Sequence, residues 1–90
     1  MFPLMRFKIK DKSMEPALRE GDYILANKLF FGLGKGDVVV ARRNNRFFIK
    51  RIDKINRNMY LLCGDNARLS SDFWVGKNNI IGKVLLRIGR

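Results

Sequence analysis

The chain has no histidine, one cysteine and two prolines in its 90 residues, and only eight acidic side chains stand against 19 lysines and arginines. Each scarcity excludes something. Without imidazole there is no Ser/His or Cys/His catalytic pair and no histidine-built metal site. Cys63 cannot close an intramolecular disulfide, which leaves the compartment open with a lean toward reducing conditions. Its setting, Leu61-Leu62-Cys63-Gly64, reads as a small buried residue at a strand end. One cysteine and scattered acids make no ligand cluster, so neither a metal nor a cofactor is expected. No stretch reaches the ~20 apolar residues that span a bilayer, and Met1-Phe2-Pro3-Leu4-Met5-Arg6 is too short for a signal-peptide core. The expectation is a chain that is cytoplasmic or peripheral at the membrane.

What is present is a single domain over residues 1–90, 47% hydrophobic, with a small core. A net charge of +11 predicts attraction to polyanions, whether nucleic acid, an acidic membrane surface or an acidic partner. The apolar pattern has period two, the mark of half-buried strands. Strands are expected over residues 6–10, 23–26, 37–42, 46–53, 59–63 and 80–88, with turns at Asn44-Asn45 and Asn56-Arg57-Asn58 and a polar loop over residues 64–72. Only residues 13–19 look briefly helical, with Pro16 in a first turn. The class is mainly β: a small coiled antiparallel sheet or partly closed barrel.

Lys50 lies in Phe48-Ile49-Lys50-Arg51-Ile52. On a strand Phe48, Lys50 and Ile52 share one face, so the amine sits between two large apolar neighbours. Full burial lowers a lysine pKa by ~3–5 units, which leaves an amine able to act as a general base near neutrality. The competing reading is a lysine that snorkels to water. Ser13 follows a strand and precedes a tight turn; it either caps a short helix or projects as a nucleophile. The 64–72 loop is a site loop or a solvated surface.

Ser13-Met14-Glu15-Pro16 with Gly21-Asp22 after it, Gly36-Asp37-Val38-Val39-Val40, Ile49-Lys50-Arg51-Ile52, and Gly64-Asp65-Asn66 followed by Ser70 and Asp72 occur in that order. The succession resembles the type I signal peptidase family, and Asn79-Ile80-Ile81-Gly82-Lys83 resembles its closing strand. The short form also resembles the soluble nickel-type superoxide dismutase maturation proteases. The resemblance implies the β-rich fold shared with self-cleaving repressor proteases. It implies Ser13 as nucleophile, Lys50 as general base and Ser70 as the hydroxyl that orients the lysine. Met14 and Pro16 would shape the nucleophile turn; Arg51, Asp65 and Asp72 would support the site, with Asp72 pairing Arg51. The implied activity is that of a serine endopeptidase removing a leader or signal segment from a precursor bound extended along a strand edge, through an acyl-enzyme.

Three departures stand out. Asp11 replaces the serine or glycine found two residues before the nucleophile, where donors face the developing oxyanion; it either points away or weakens catalysis. Phe73-Trp74 replaces the Ser-Arg after the loop aspartate. The membrane-spanning helix and large second β-domain of the family are absent from this sequence. Two other readings stand beside the enzyme: a catalytically inactive peptide-binding relative, and a basic β-barrel binding single-stranded nucleic acid on Phe47, Phe48, Tyr60 and Trp74. The nucleic-acid reading leaves the serine, lysine and Gly-Asp-Asn blocks unexplained. The apolar segment Leu29-Phe30-Phe31-Gly32-Leu33 either packs inward or docks on an anionic membrane. Oligomeric state is left open.

Overall fold

A computed structural model describes residues 3–29 and 32–89; Phe30 and Phe31, at the centre of the apolar segment considered for membrane docking, lie outside the described residues. The two-residue periodicity resolves into seven strands: β1 (Leu4–Lys8), β2 (Tyr23–Asn27), β3 (Val38–Arg43), β4 (Arg46–Asn56), β5 (Met59–Cys63), β6 (Phe73–Gly76) and β7 (Ile80–Gly89). They form one antiparallel sheet in the order β1-β2-β7-β3-β4-β5-β6. β1 and β6 are its two edges, so the sheet is open and does not close into the partial barrel considered above.

β3 is the middle strand of the seven, and its run of β-branched residues suits a position covered on both faces. Val39 and Ala41 turn to one side, into a core with Ile52, Leu62, Phe73, Val75 and Ile80. Val40 turns to the other, against Ile9, Met14, Leu18, Ile24 and Ala26. All three β3 residues are fully buried. Each such valine contributes about 1.5–3 kcal/mol by burial, so this strand ties the two cores together.

The hairpin between β3 and β4 is set by Asn44 and Asn45, both left-handed (φ 53° and 63°), as a two-residue turn requires. Asparagine tolerates that region better than most residues. The turn fixes a register in which Lys50 lies opposite Val39 and Phe48 opposite Ala41. The β4–β5 pairing shifts between Ile52 and Lys54, leaving Asp53 as the extra residue of a bulge.

Three expectations change. No helix forms over residues 13–19: residues 13–17 are turn, with one α-type hydrogen bond from Leu18 N to Met14 O. A residue preceding proline is pushed out of the α region, and Glu15 precedes Pro16 there; that peptide bond is cis. β6 was not foreseen, because Phe73-Trp74 follows directly on the polar loop. β1 begins at Leu4 and ends at Lys8, two residues earlier than the alternation suggested. Among the described residues no helix is long and apolar enough to cross a membrane.

Candidate active site

Lys50 is carried on β4 with its side chain on the inner face between Phe48 and Ile52. It is 4% exposed. Its Nζ donates to Ser70 Oγ at 2.7 Å and to Ser71 O at 3.3 Å, and lies 6.0 Å from the centroid of the Phe73 ring. No carboxylate forms an ion pair with it among the described residues. Burial pushes its pKa down; the charge of Asp11, followed by Asp72 and Cys63, pulls the other way. A neutral amine has two N–H groups and one lone pair. In that form both N–H groups have acceptors here and the remaining tetrahedral position carries the lone pair, where the ammonium form would point a third N–H. The snorkelling alternative does not describe this side chain.

Ser70 links the lysine to the backbone of the neighbouring strand. Its Oγ accepts from Lys50 and also from Gly64 N at 2.7 Å. Gly64 follows β5 directly and is buried. A Cβ at this position would lie 2.5 Å from Ser13 O and closer still to Ser70 Oγ. Only glycine lets the Ser13 turn and the Ser70–Lys50 pair converge on one backbone atom. Asn66 completes the clasp: its N–H donates to Ser13 O at 2.7 Å and its side-chain amide to Lys12 O at 3.2 Å.

Ser13 is 5% exposed. Its Oγ donates to Asp11 Oδ1 at 2.9 Å, and its own N–H donates to the same oxygen at 3.0 Å. No hydrogen bond joins Ser13 Oγ to Lys50. The Asp11 side chain therefore points toward the serine, not away from it.

The supporting residues divide. Met14 is 1% exposed and anchors the serine turn in the second core, and its carbonyl accepts from Leu18 N. Pro16 is exposed within the turn. Arg51 does not pair with Asp72, which is a correction: its guanidinium holds Asp65 bidentately, Nε to Oδ1 and Nη2 to Oδ2 at 2.8 Å each, and donates to Gly36 O at 2.8 Å. The hydrogen bond and charge of Asp65 raise the arginine's pKa further. The reason is the strand alternation. Arg51 and Lys50 point to opposite faces, and Asp72 acts electrostatically on Lys50 while Asp65 is placed to reach Arg51.

Cys63 is half-buried and its thiol pKa is pushed up, first by burial and then by Asp53, Asp72 and Asp65. This is the opposite of what a reactive thiolate needs. Phe48 and Tyr60 turn inward against the first core, whereas Phe47 packs against Phe7 on the other face and Trp74 sits 45% exposed beside Leu61. The four aromatics thus form no single stacking platform. Among the described residues no group of three or more acidic or cysteine side chains is arranged to hold a metal.

Sequence reading missed Gly64 and Asn66 as site residues. The available signal was the Gly-Asp-Asn block itself: a glycine ending a buried strand and an asparagine whose backbone and side-chain amides can each bond a carbonyl. Compared with curated proteins, the chain finds no match. The peptidase S24-like family model matches residues 3–85, a span that contains Asp11, Ser13, Lys50, Gly64 and Ser70. The chain belongs to the peptidase S24-like family, and with it to the Ser–Lys peptidase superfamily.

Proposed function

We propose that the protein is a serine endopeptidase that removes a leader or signal segment from a precursor, with Ser13 as nucleophile, Lys50 as general base and Ser70 holding the lysine. The observation that carries this is Lys50: a buried amine with no ion-pair partner among the described residues, its Nζ held by Ser70 Oγ and Ser71 O, at a site that Gly64 joins to the buried Ser13. In the reaction the Ser13 hydroxyl rotates from Asp11 to Lys50, whose lone pair takes its proton as Oγ bonds to the peptide carbonyl carbon. Collapse breaks the C–N bond, and the lysinium returns the proton to the leaving amine. A water then gives a proton to Lys50 and attacks the ester. The C–Oγ bond breaks, Ser13 regains its proton, and the new carboxyl product leaves. The precursor lies extended along a strand edge, held by backbone hydrogen bonds. Removal of a leader, as in the maturation proteases that the short form resembles, is the substrate class proposed.

The test is a diverse peptide library digested with the protein and read by mass spectrometry beside Ser13→Ala and Lys50→Ala. Cleavage by wild type that is lost in both variants supports the reading, and the cut sites report the substrate class. Cleavage that survives either substitution sinks it. One observation favours a second reading, an inactive peptide-binding relative: Asp11 takes both donors of Ser13. A folded protein that binds peptides without cutting them selects it. The charge of +11 supports an anionic surface as a further partner; sedimentation with vesicles of neutral and of anionic lipid tests that.

A further inference from the structure

We infer that the Asp11 carboxylate occupies the position the scissile carbonyl oxygen must take, so that substrate engages by displacing it and the resting site is held closed. The inference rests on the peptidase reading above. In acyl transfer the oxyanion is held by donors at about 2.7–3.1 Å. The Ser13 N–H already has an anionic oxygen at 3.0 Å, and that oxygen belongs to the protein. The same Oδ1 holds the Ser13 hydroxyl at 2.9 Å, directing its proton away from Lys50. Asp11 is also the leading charge that favours the ammonium form of Lys50, which cannot accept a proton. One carboxylate therefore blocks the oxyanion position, misdirects the nucleophile and opposes the base.

Asp11 is free to leave. It is exposed, between buried Ile9 and buried Ser13, and among the described residues its only hydrogen bonds are the two from Ser13. Among the described residues no ion pair anchors it. The groups that act with Asp11 on Lys50 are Asp72 from the loop after β5 and Cys63 at the end of that strand, and Lys10 and Lys12 flank Asp11 in the chain. A substrate that binds along enough strand length supplies the free energy to expel the carboxylate; a short peptide does not. Asp11 is thus a positioning residue that sets how much substrate must be bound before Ser13 is released.

The test compares wild type, Asp11→Asn and Asp11→Gly, with Ser13→Ala as blank, on short and long peptides containing a cleaved sequence from the library. Asp11→Gly is expected to raise kcat/KM on the short peptide by roughly ten- to hundred-fold, the equivalent of one hydrogen bond to a charged group, with a smaller gain on the long one. The acid limb of the pH profile should move to lower pH in both variants, because Lys50 loses its main ammonium-stabilising neighbour. NMR gives a readout independent of turnover: the Ser13 amide proton, bonded to the carboxylate in wild type, should move upfield in Asp11→Gly. Cleavage that Asp11→Gly leaves unchanged or lowers, or a Ser13 amide resonance indifferent to that substitution, overturns the inference while the peptidase reading stands. Absence of cleavage in wild type and in Asp11→Gly alike overturns the peptidase reading and the inference with it.

Discussion

Gly64→Ala tests whether the site is assembled as described. The added Cβ would stand 2.5 Å from Ser13 O, 2.6 Å from Ser70 Cβ and nearer still to Ser70 Oγ. Neither neighbour yields easily. Ser13 O is backbone, fixed by the Asn66 N–H at 2.7 Å, and Ser70 Oγ is held by Gly64 N and Lys50 Nζ. Overpacking costs about 1–3 kcal/mol, and displacing one of these hydrogen bonds adds about 0.5–1.5 kcal/mol. The sum is about 1.5–4.5 kcal/mol. In a domain of this size 1 kcal/mol moves Tm by about 4–8 °C, so Tm should fall by about 6–36 °C in a thermal melt. Gly76→Ala is the internal control, since the nearest atom to its added Cβ is Met59 Sδ at 4.0 Å; it should stay within about 0.5 kcal/mol of wild type. Cleavage should fall in Gly64→Ala even well below its Tm, because Ser70 is pushed off Lys50. Equal stability and activity for the two alanine variants would refute the convergence of Ser13 and Ser70 on Gly64.

Two further predictions concern charge. Folded Lys50 gives up its proton more readily than the unfolded chain does, because its pKa is lowered by burial. Between that lowered value and the ordinary lysine value the unfolded state binds more protons, so this residue makes stability rise with pH across the window. Denaturant unfolding of wild type should show that rise, and Lys50→Met should lack it while losing all cleavage; parallel pH profiles would contradict a buried, deprotonating amine. Asp65→Ala should cost up to about 1 kcal/mol, the ceiling for a partly exposed ion pair, and a double-mutant cycle should couple it to Arg51→Ala. Asp72→Asn should show no coupling to Arg51.

Much of this structure could be read from residue order because strand periodicity is local. The Asn44-Asn45 turn, the Met59–Cys63 strand and the placing of Lys50 between Phe48 and Ile52 follow from alternation and turn chemistry. What was not legible is long-range. The insertion of β7 between β2 and β3 closes contacts over dozens of residues and leaves no local mark. β6 is four residues long, below the length at which alternation speaks. The exchange of Asp72 for Asp65 as partner of Arg51 depends on which loop carboxylate emerges on the outer face, a matter of a few ångströms. The direction of the Asp11 side chain was the largest open question at the site; the answer is a pair of hydrogen bonds to Ser13 that no spacing rule predicts.

The central claim is that Ser13 is acylated with Lys50 as its base. The most direct measurement is intact-mass detection of the acyl adduct formed with an activated peptide ester, followed against pH in wild type and Lys50→Ala and mapped by peptide sequencing. The account predicts one adduct, on Ser13, whose formation rises with pH as Lys50 loses its proton and collapses in Lys50→Ala. An adduct on another residue, or acylation of Ser13 that proceeds equally well without Lys50, would contradict it.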